Sequence, residues 1–243
     1  MTDHLKRRYI KCFLFFLCIV IYGCGDLNCK DMTSSSLRRY EASDRIETIN
    51  KEITILQKKE NDQNAIIRLG DLNEQLATIY LDKEDFSTAL LHINKAFEYK
   101  RNTPYLNFMA GLAHGNIGAK SGSKDEISQA EKYYRHAIEL KENYEEAWYA
   151  LAVLLFLYKN ERKEPIKILE DLCGRSPWYY TARFALGRFY YESGRKEDAL
   201  NIYLALQTDL EKLPNSPIIR EYIQSSIENI QKIRAEIQMS QEK

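Results

Sequence analysis

The side chains that most often carry out catalysis or bind metal ions are scattered along this 243-residue sequence. His92, His114 and His136 form no i, i+4 pair, so they do not match the two-histidine helix of zinc proteases. The sequence contains no P-loop, no GxSxG and no GxGxxG. Two adjacent carboxylate pairs fall on faces expected to meet solvent, Glu145-Glu146 and Glu197-Asp198. The sequence therefore supports no enzymatic activity, and we expect no catalytic site, no metal site and no cofactor.

The N-terminus combines a basic segment with a short apolar run. Four Lys or Arg side chains precede the eleven apolar residues Cys12–Tyr22. A membrane-spanning helix needs about 20 apolar residues, whereas a run this short has the length of a signal-peptide core. The run ends in Ile21-Tyr22-Gly23-Cys24, which resembles a bacterial lipobox at Ile21, Gly23 and Cys24. Tyr22 departs from that pattern, in which a small residue is preferred.

The lipobox resemblance implies that residues 1–23 are a signal peptide and that Cys24 becomes a lipidated N-terminal residue. Acyl chains would hold the protein on a membrane, because each buried CH₂ contributes about 0.8 kcal/mol. Residues 24–42 are polar and predict a flexible tether. By analogy with lipoprotein sorting in bacteria with two membranes, Gly25 favours the outer over the inner membrane. We therefore expect a cell-envelope location on the periplasmic face. Ordinary cleavage of a secreted protein, or an uncleaved anchor, are the alternatives.

The charge of the chain argues against a nucleic-acid-binding protein, and its cysteines argue against a disulfide-rich fold. The chain has 35 basic and 35 acidic residues, and residues 1–23 hold four and one of them, which leaves 31 − 34 = −3 from Cys24 onward. A slightly acidic chain without a basic stripe argues against a nucleic-acid partner. Apart from Cys24 and the signal core, only Cys29 and Cys173 remain of the five cysteines. The sequence therefore predicts no disulfide framework.

A small residue that follows an apolar one inside a helical pattern recurs through the rest of the chain, at Leu76-Ala77, Ala110-Gly111, Leu151-Ala152 and Leu186-Gly187. The steps between the small residues are 34, 41 and 35 (77 to 111, 111 to 152, 152 to 187). A period in the thirties is typical of stacked helix pairs. The most complete unit has Leu186-Gly187, Tyr190, Gly194, Ala199 and Tyr203, and it resembles the tetratricopeptide repeat (TPR).

The resemblance implies an all-α, right-handed superhelix of antiparallel helix pairs, with about four repeats over residues 70–215. In the second repeat the interval between small residues is seven longer (19 from Gly111 to Ala130, against 12 from Gly187 to Ala199). The excess falls in the Gly/Ser-rich segment Gly118–Lys124, which predicts a lengthened turn. Pro165 stands where the third repeat should have its small alanine, and predicts that this helix starts late and is short.

Both ends of the repeat region carry further helical patterns. In residues 216–243, Ser216-Pro217 predicts a helix start, and isoleucines follow at three- to four-residue spacing. We interpret this segment as a helix that caps the stack, with an independent amphipathic or dimerising helix as the alternative. Residues 43–69 predict a helix starting near Asp44 and a second helix from about Asn64; a short coiled coil is the alternative for the first.

The TPR resemblance also implies a ligand groove lined by the first helix of each repeat. Its positions are rich in aromatic side chains, and the predicted groove comprises Tyr105, Phe108, Leu112, Tyr149, Val153, Phe156, Phe184, Arg188 and Tyr191. The Lys/Asn set that some TPRs use to clamp a terminal carboxylate is missing at these positions. Burial of some of these side chains by the cap helix or by a tight superhelix is the alternative.

Together these features predict a membrane-anchored periplasmic scaffold. Its expected partner is a protein or peptide in envelope assembly, secretion or transport. The alternative is an accessory component that binds a small molecule or lipid in an aromatic cavity. The sequence leaves the oligomeric state open.

Overall fold

The computed structural model describes residues 32–59, 62–99 and 101–241, with side chains from residue 42 to residue 240 within these ranges. In this part of the chain there is no β-strand, and the α-helices are α1 (Met32–Leu56), α2 (Gln63–Asp82), α3 (Phe86–Glu98), α4 (Pro104–Ser121), α5 (Lys124–Leu140), α6 (Glu145–Tyr158), α7 (Lys163–Arg175), α8 (Tyr180–Glu192), α9 (Lys196–Leu210) and α10 (Pro217–Gln241). The predicted all-α fold class is confirmed. Residues 1–31, with the signal peptide, Cys24 and the start of the tether, lie outside the described residues.

The chain forms two compact units, of which the first ends at Ser121 and the second begins at Gly122. In the N-terminal unit, α1 packs on α2 through a fully apolar cluster built on Ile49, Leu72, Leu76 and Ile79. Asp62 starts α2, since its carboxylate accepts hydrogen bonds from the backbone N–H groups of the second and third helical residues. On its other side α2 packs against α3, where the Tyr80 and His92 rings stack with centroids 5.4 Å apart.

The C-terminal unit shows why the repeat needs small residues. Gly187 of α8 faces the Tyr203 ring of α9, and a Cβ at Gly187 would lie only 2.8 Å from Tyr203 Cζ. Tyr203 itself is buried, and its hydroxyl donates to the Phe184 carbonyl at 3.4 Å. Ala152 and Ala199 are fully buried at the corresponding positions. The small residues therefore set how closely the two helices of a hairpin approach.

The turns inside the hairpins share one backbone feature, a residue with positive φ. Gly194 has φ 80° between α8 and α9, as glycine readily does. Glu84 takes the same role between α2 and α3 with φ 59°, and Asn160 between α6 and α7 with φ 54°. The left-handed conformation costs a residue with a Cβ roughly 1–2 kcal/mol, so Glu84 is a strained position.

Two predicted boundaries are wrong. Helix α1 begins at Met32 rather than near Asp44, so residues 32–42 are helical and not a flexible tether. The segment Leu37–Ala42 contains neither Gly nor Pro and is rich in good helix formers, which outweigh the three serines before it. The tether prediction then applies to residues 24–31 only.

The long turn predicted at Gly118–Lys124 is also wrong. Helix α4 continues ten residues past Gly111 (111 to 121), whereas α8 continues five past Gly187 (187 to 192), so most of the insertion extends a helix. Only Gly122 and Ser123 form the turn, and Gly122 has φ 71°. Lys120 near the end of α4 lies over the Phe86 ring at 4.7 Å, a contact that favours the helix.

Helix α10 ends the C-terminal unit as a cap. Ser216 precedes the helix and its hydroxyl accepts from the Ile219 N–H at 3.3 Å, while Pro217 is the first helical residue. Ile230 and Ile233 are buried, and the opposite side of the helix carries exposed Gln, Glu and Arg side chains. An amphipathic helix of this kind covers apolar surface that a stacked array would otherwise expose.

Candidate partner-binding surface

The nine residues of the predicted groove are divided between the two units. Six of them lie on α6 and α8 of the C-terminal unit, and the remaining three, Tyr105, Phe108 and Leu112, lie on α4. The burial of these residues differs between the two units. Most of the six residues on α6 and α8 are not accessible to a ligand.

In the C-terminal unit the α6 residues are core residues. Tyr149, Val153 and Phe156 are only 4%, 4% and 1% exposed. Phe156 stacks parallel on Phe189 with ring centroids 3.7 Å apart, and the Arg162 guanidinium covers it at 4.0 Å. The groove prediction is therefore wrong for these three positions, because side chains of neighbouring helices fill the space that a ligand would need.

Tyr149 shows the same filling at the other end of α6. Its ring meets Tyr179 edge-on with centroids 5.8 Å apart. Burial raises the pKa of the Tyr149 phenol, and Tyr222 of α10 raises it further. The phenol therefore stays neutral at every physiological pH, and it is a packing group.

On α8 the cap helix covers the predicted groove. Phe184 is half-buried between Tyr203 and Tyr222, with centroid distances of 6.0 and 5.5 Å. The Tyr191 hydroxyl donates to Glu236 of α10 at 2.6 Å. Hydrogen bonds from Tyr191 and then Lys196 lower the pKa of Glu236, so this carboxylate is ionised at neutral pH. Arg188 remains half-buried and pairs with Glu192 at 2.5 Å.

These contacts also remove the aromatic cavity of the alternative function. Such a cavity would need Tyr149, Phe156 and Phe184 to line a void, but each ring packs on a neighbouring ring. The aromatic residues of the C-terminal unit thus serve packing, as the second interpretation of the groove expected.

The N-terminal unit keeps an accessible part of the groove. Phe108 is buried, but Tyr105 and Leu112 are partly exposed on α4. The hydroxyl oxygens of Tyr105 and Thr78 lie 3.3 Å apart, which joins α4 to the neighbouring side of α2. Accessible first-helix positions are therefore found where α2 and α4 meet.

A stripe along α2 forms the centre of this accessible surface. Ile67, Asp71, Glu74 and Thr78 recur at three- to four-residue spacing, so they share one side of the helix. Arg101 crosses the stripe and pairs with Asp71 at 2.8 Å and with Glu74 at 2.8 Å. We call these five residues, together with Tyr105 and Leu112, the α2 face.

A cleft borders the α2 face on the side of α1. It has a volume of about 310 Å³, and its lining residues come from both helices: Asp44, Arg45, Thr48, Ile49, Glu52, Arg68, Leu72 and Gln75. Arg68 donates to both Glu52 oxygens across the cleft, at 2.7 and 3.0 Å, and this lowers the pKa of Glu52. Ile55 and Ile67 are 60% and 51% exposed on the same two helices. Apolar tips beside paired charges are typical of a surface that can bind a polypeptide.

The remaining groups that could do chemistry have structural roles. His92 Nδ1 lies 3.0 Å from Asn73 Oδ1, and burial lowers the pKa of this histidine. Burial raises the pKa of Cys173 to about 11, so its thiol is unreactive. Among the described residues no group of His, Cys, Asp or Glu could hold a metal ion. In the same part of the chain no helix is long and apolar enough to cross a membrane.

Two solved protein structures illustrate what this arrangement of helices is similar to. A crystal structure of MamA protein superposes with a TM-score of 0.56 at 19% identity, covering 74% of this chain and 93% of that chain. TTC0263, a thermophilic TPR protein of Thermus thermophilus, superposes with a TM-score of 0.53 at 16% identity, covering 79% of this chain and 94% of that chain. The chain has the TPR fold. No protein-family model matches the sequence, and no curated protein matches it.

The TPR positions alone did not identify the whole α2 face. Asp71, Glu74 and Thr78 occupy ligand-lining positions of the repeat, but Ile67 lies one turn earlier and Arg101 lies in the loop before α4. Helical periodicity could have added Ile67, since it continues the stripe by four residues. Arg101 could not be found from the sequence, because its ion pairs join residues 27 and 30 positions apart (101 − 74 and 101 − 71).

Proposed function

We propose that this protein is a lipid-anchored scaffold of the cell envelope that binds a protein or peptide partner through the α2 face. The observation that supports it is the contrast in burial between the two units. Most predicted groove positions in the C-terminal unit are packed, whereas Tyr105 and Leu112 of the N-terminal unit are partly exposed. On the neighbouring helix α2, Ile67 is 51% exposed. A surface of stacked first helices is how the TPR fold presents side chains to a ligand.

The chemistry of the α2 face favours a polypeptide. The exposed apolar tip of Ile67 can contact side chains of a partner, while Arg101 and its carboxylates can exchange hydrogen bonds with it. The α2 face has one basic and two acidic side chains (1 − 2 = −1), and this net charge is small enough that shape and apolar contact would decide affinity more than charge.

The binding test compares one isoleucine and one leucine whose side chains are similarly exposed. A photo-crosslinking amino acid is placed at Ile67 (51% exposed, α2 face) or at Leu91 (53% exposed, on α3). We expect a defined adduct in cells from position 67 and none from position 91. Leu112→Asp, on α4 of the same face, should weaken the adduct. Equal adducts from both positions, or an adduct insensitive to Leu112→Asp, would show that the α2 face is not the binding surface.

The anchor test uses the two cysteines near the predicted cleavage site. Cys24→Ala should abolish incorporation of a radiolabelled fatty acid and should release the protein from the detergent phase, because the lipobox-like sequence ends at Cys24. Cys29→Ala is the matched control and should label normally. Unchanged labelling in Cys24→Ala would mean that the chain is not a lipoprotein of this kind. A periplasmic, outer-membrane location follows from the same proposal and can be checked by fractionation.

A further inference from the structure

Both tryptophans of the chain lie at one end of the C-terminal unit. Successive helices joined by short loops run antiparallel, so the α5–α6, α7–α8 and α9–α10 loops share an end. Trp148 belongs to the first turns of α6, and Trp178 lies in the α7–α8 loop. We call residues 140–148, 175–180 and 211–218 the tryptophan end.

The fold holds Trp178 outward. Its side chain is 65% exposed, yet the backbone around it is braced. Arg183 donates to the Pro177 carbonyl at 3.3 Å, and the Trp178 carbonyl accepts from the Tyr180 N–H at 3.0 Å. The buried Ser176 donates to Glu145 of α6. The large apolar ring therefore projects from a loop that is fixed on both sides.

The other side chains of the tryptophan end give it a mixed apolar and polar character. Leu140 and Ile218 are 40% and 46% exposed, and Arg175 lies over the Trp148 ring at 5.6 Å. Exposed Lys and Glu side chains alternate in the loops, at Lys141, Glu142, Glu211 and Lys212. Tryptophan is enriched at membrane–water interfaces, where long basic side chains reach the headgroups. With Arg175, Glu145 and Glu146 included, the tryptophan end has three basic and four acidic side chains (3 − 4 = −1), and this small net charge suits headgroups without net charge.

We propose that the tryptophan end docks on the interfacial layer of a zwitterionic lipid bilayer, with Trp178 inserted among the headgroups. The inference rests on the proposed lipid anchor. Because α1 begins at Met32, only seven residues (25–31) separate it from Cys24, and the eight steps from Cys24 to Met32 span at most about 29 Å. The anchor thus keeps the start of α1 within that distance of the bilayer, and docking of another part of the same chain becomes an intramolecular event. A protruding ring also suits a fluid interface, which needs no preformed pocket.

Tryptophan fluorescence tests this proposal locally. In a full-length chain with Cys24→Ala and Trp148→Phe, Trp178 is the single tryptophan and no lipid is attached. The protein is added to phosphatidylcholine vesicles, with or without bromine on the acyl chains. Residues 1–23 are kept in every variant, so any vesicle binding through them is the same for both tryptophan positions. We expect a blue shift of the emission and loss of most of its intensity on brominated lipid.

In the control variant, the single tryptophan whose fluorescence is measured lies at the other end of the same unit. It carries Tyr158→Trp together with Trp148→Phe and Trp178→Phe; Tyr158 is 40% exposed at the end of α6. Its emission should be neither shifted nor quenched. Equal quenching of both reporters, or quenching of neither, overturns the proposal. The proposal is also overturned if the emission of Trp178 does not change on adding lipid while Trp178→Ala lowers the yield of crosslinking to a protein partner. If fatty-acid labelling at Cys24 of the otherwise unchanged chain is normal in that case, only the docking proposal is refuted and the lipid-anchor proposal is not.

Discussion

Replacing Gly187 by alanine tests the helix contact on which the repeat pattern depends. The new Cβ would lie 2.8 Å from Tyr203 Cζ, 3.0 Å from Cε2 and 3.1 Å from Cε1. The ring has little room to move, because Tyr203 is 3% exposed. Overpacking of this kind costs about 1–3 kcal/mol, and the higher helix propensity of alanine returns about 1 kcal/mol. We expect a net loss of unfolding free energy of up to about 2 kcal/mol.

Gly174→Ala is the matched control, since Gly174 also lies in a helix but a Cβ there meets no atom within 4 Å. That variant should gain up to about 1 kcal/mol from helix propensity alone. Thermal unfolding followed by far-UV circular dichroism compares the two, at roughly 2–4 °C per kcal/mol for a chain of this size. Tyr203→Leu should largely abolish the penalty of Gly187→Ala in a double-mutant cycle. If Gly187→Ala is as stable as Gly174→Ala, the close approach of α8 and α9 does not limit packing.

Three further predictions follow from burial, backbone strain and charge. Tyr149→Ala should lower the unfolding free energy by about 3–5 kcal/mol as a core truncation, whereas Tyr158→Ala, at an exposed position, should cost much less in the same denaturation assay. Glu84→Gly should raise the thermal midpoint, because glycine relieves the positive φ at a gain of about 1 kcal/mol. Arg183 lowers the pKa of Asp209 below its ordinary value of 3.8, so their pairing stabilises the fold above that pH and is lost on acidification through the lowered pKa. Asp209→Asn should therefore lose less stability than the wild type between about pH 5 and about pH 2.

The repeat architecture could be predicted because its signals are local and periodic. Gly187 and Tyr203 stand at the spacing of the repeat, and in the structure they are in direct contact, because the small residue lets the two helices of the hairpin approach closely. Ser216-Pro217 likewise starts α10 where capping chemistry predicts a helix start. Boundaries without such a signal were missed. The start of α1 at Met32 lies in a polar segment outside the repeats, and the contact of Lys120 with Phe86 that favours the extension of α4 joins residues 34 positions apart (120 − 86).

The groove could not be read from sequence with the same success. A position that lines the ligand groove in one repeat protein faces solvent only if no neighbouring side chain occupies the space. Phe156 meets Phe189 from a helix more than thirty residues further on (189 − 156 = 33), and Tyr191 meets Glu236 of the cap. No spacing rule within one repeat contains these pairings, so burial at Tyr149 and Phe156 emerges only from the packed structure.

The same packing explains why the aromatic residues Tyr149 and Phe156 are enclosed in the C-terminal unit. An aromatic ring gains most when neighbours enclose it, as around Phe156, and it then stabilises the stack at the expense of any ligand site. The α2 face instead places Asp71, Glu74 and Arg101 in ion pairs that stay near water. Arg101 is 33% exposed and Glu74 is 16% exposed, so these partly buried pairs also hold the loop before α4 against α2. The proposed partner would give them a second role, because the same charges can form hydrogen bonds with a bound chain while Ile67 supplies the apolar contact.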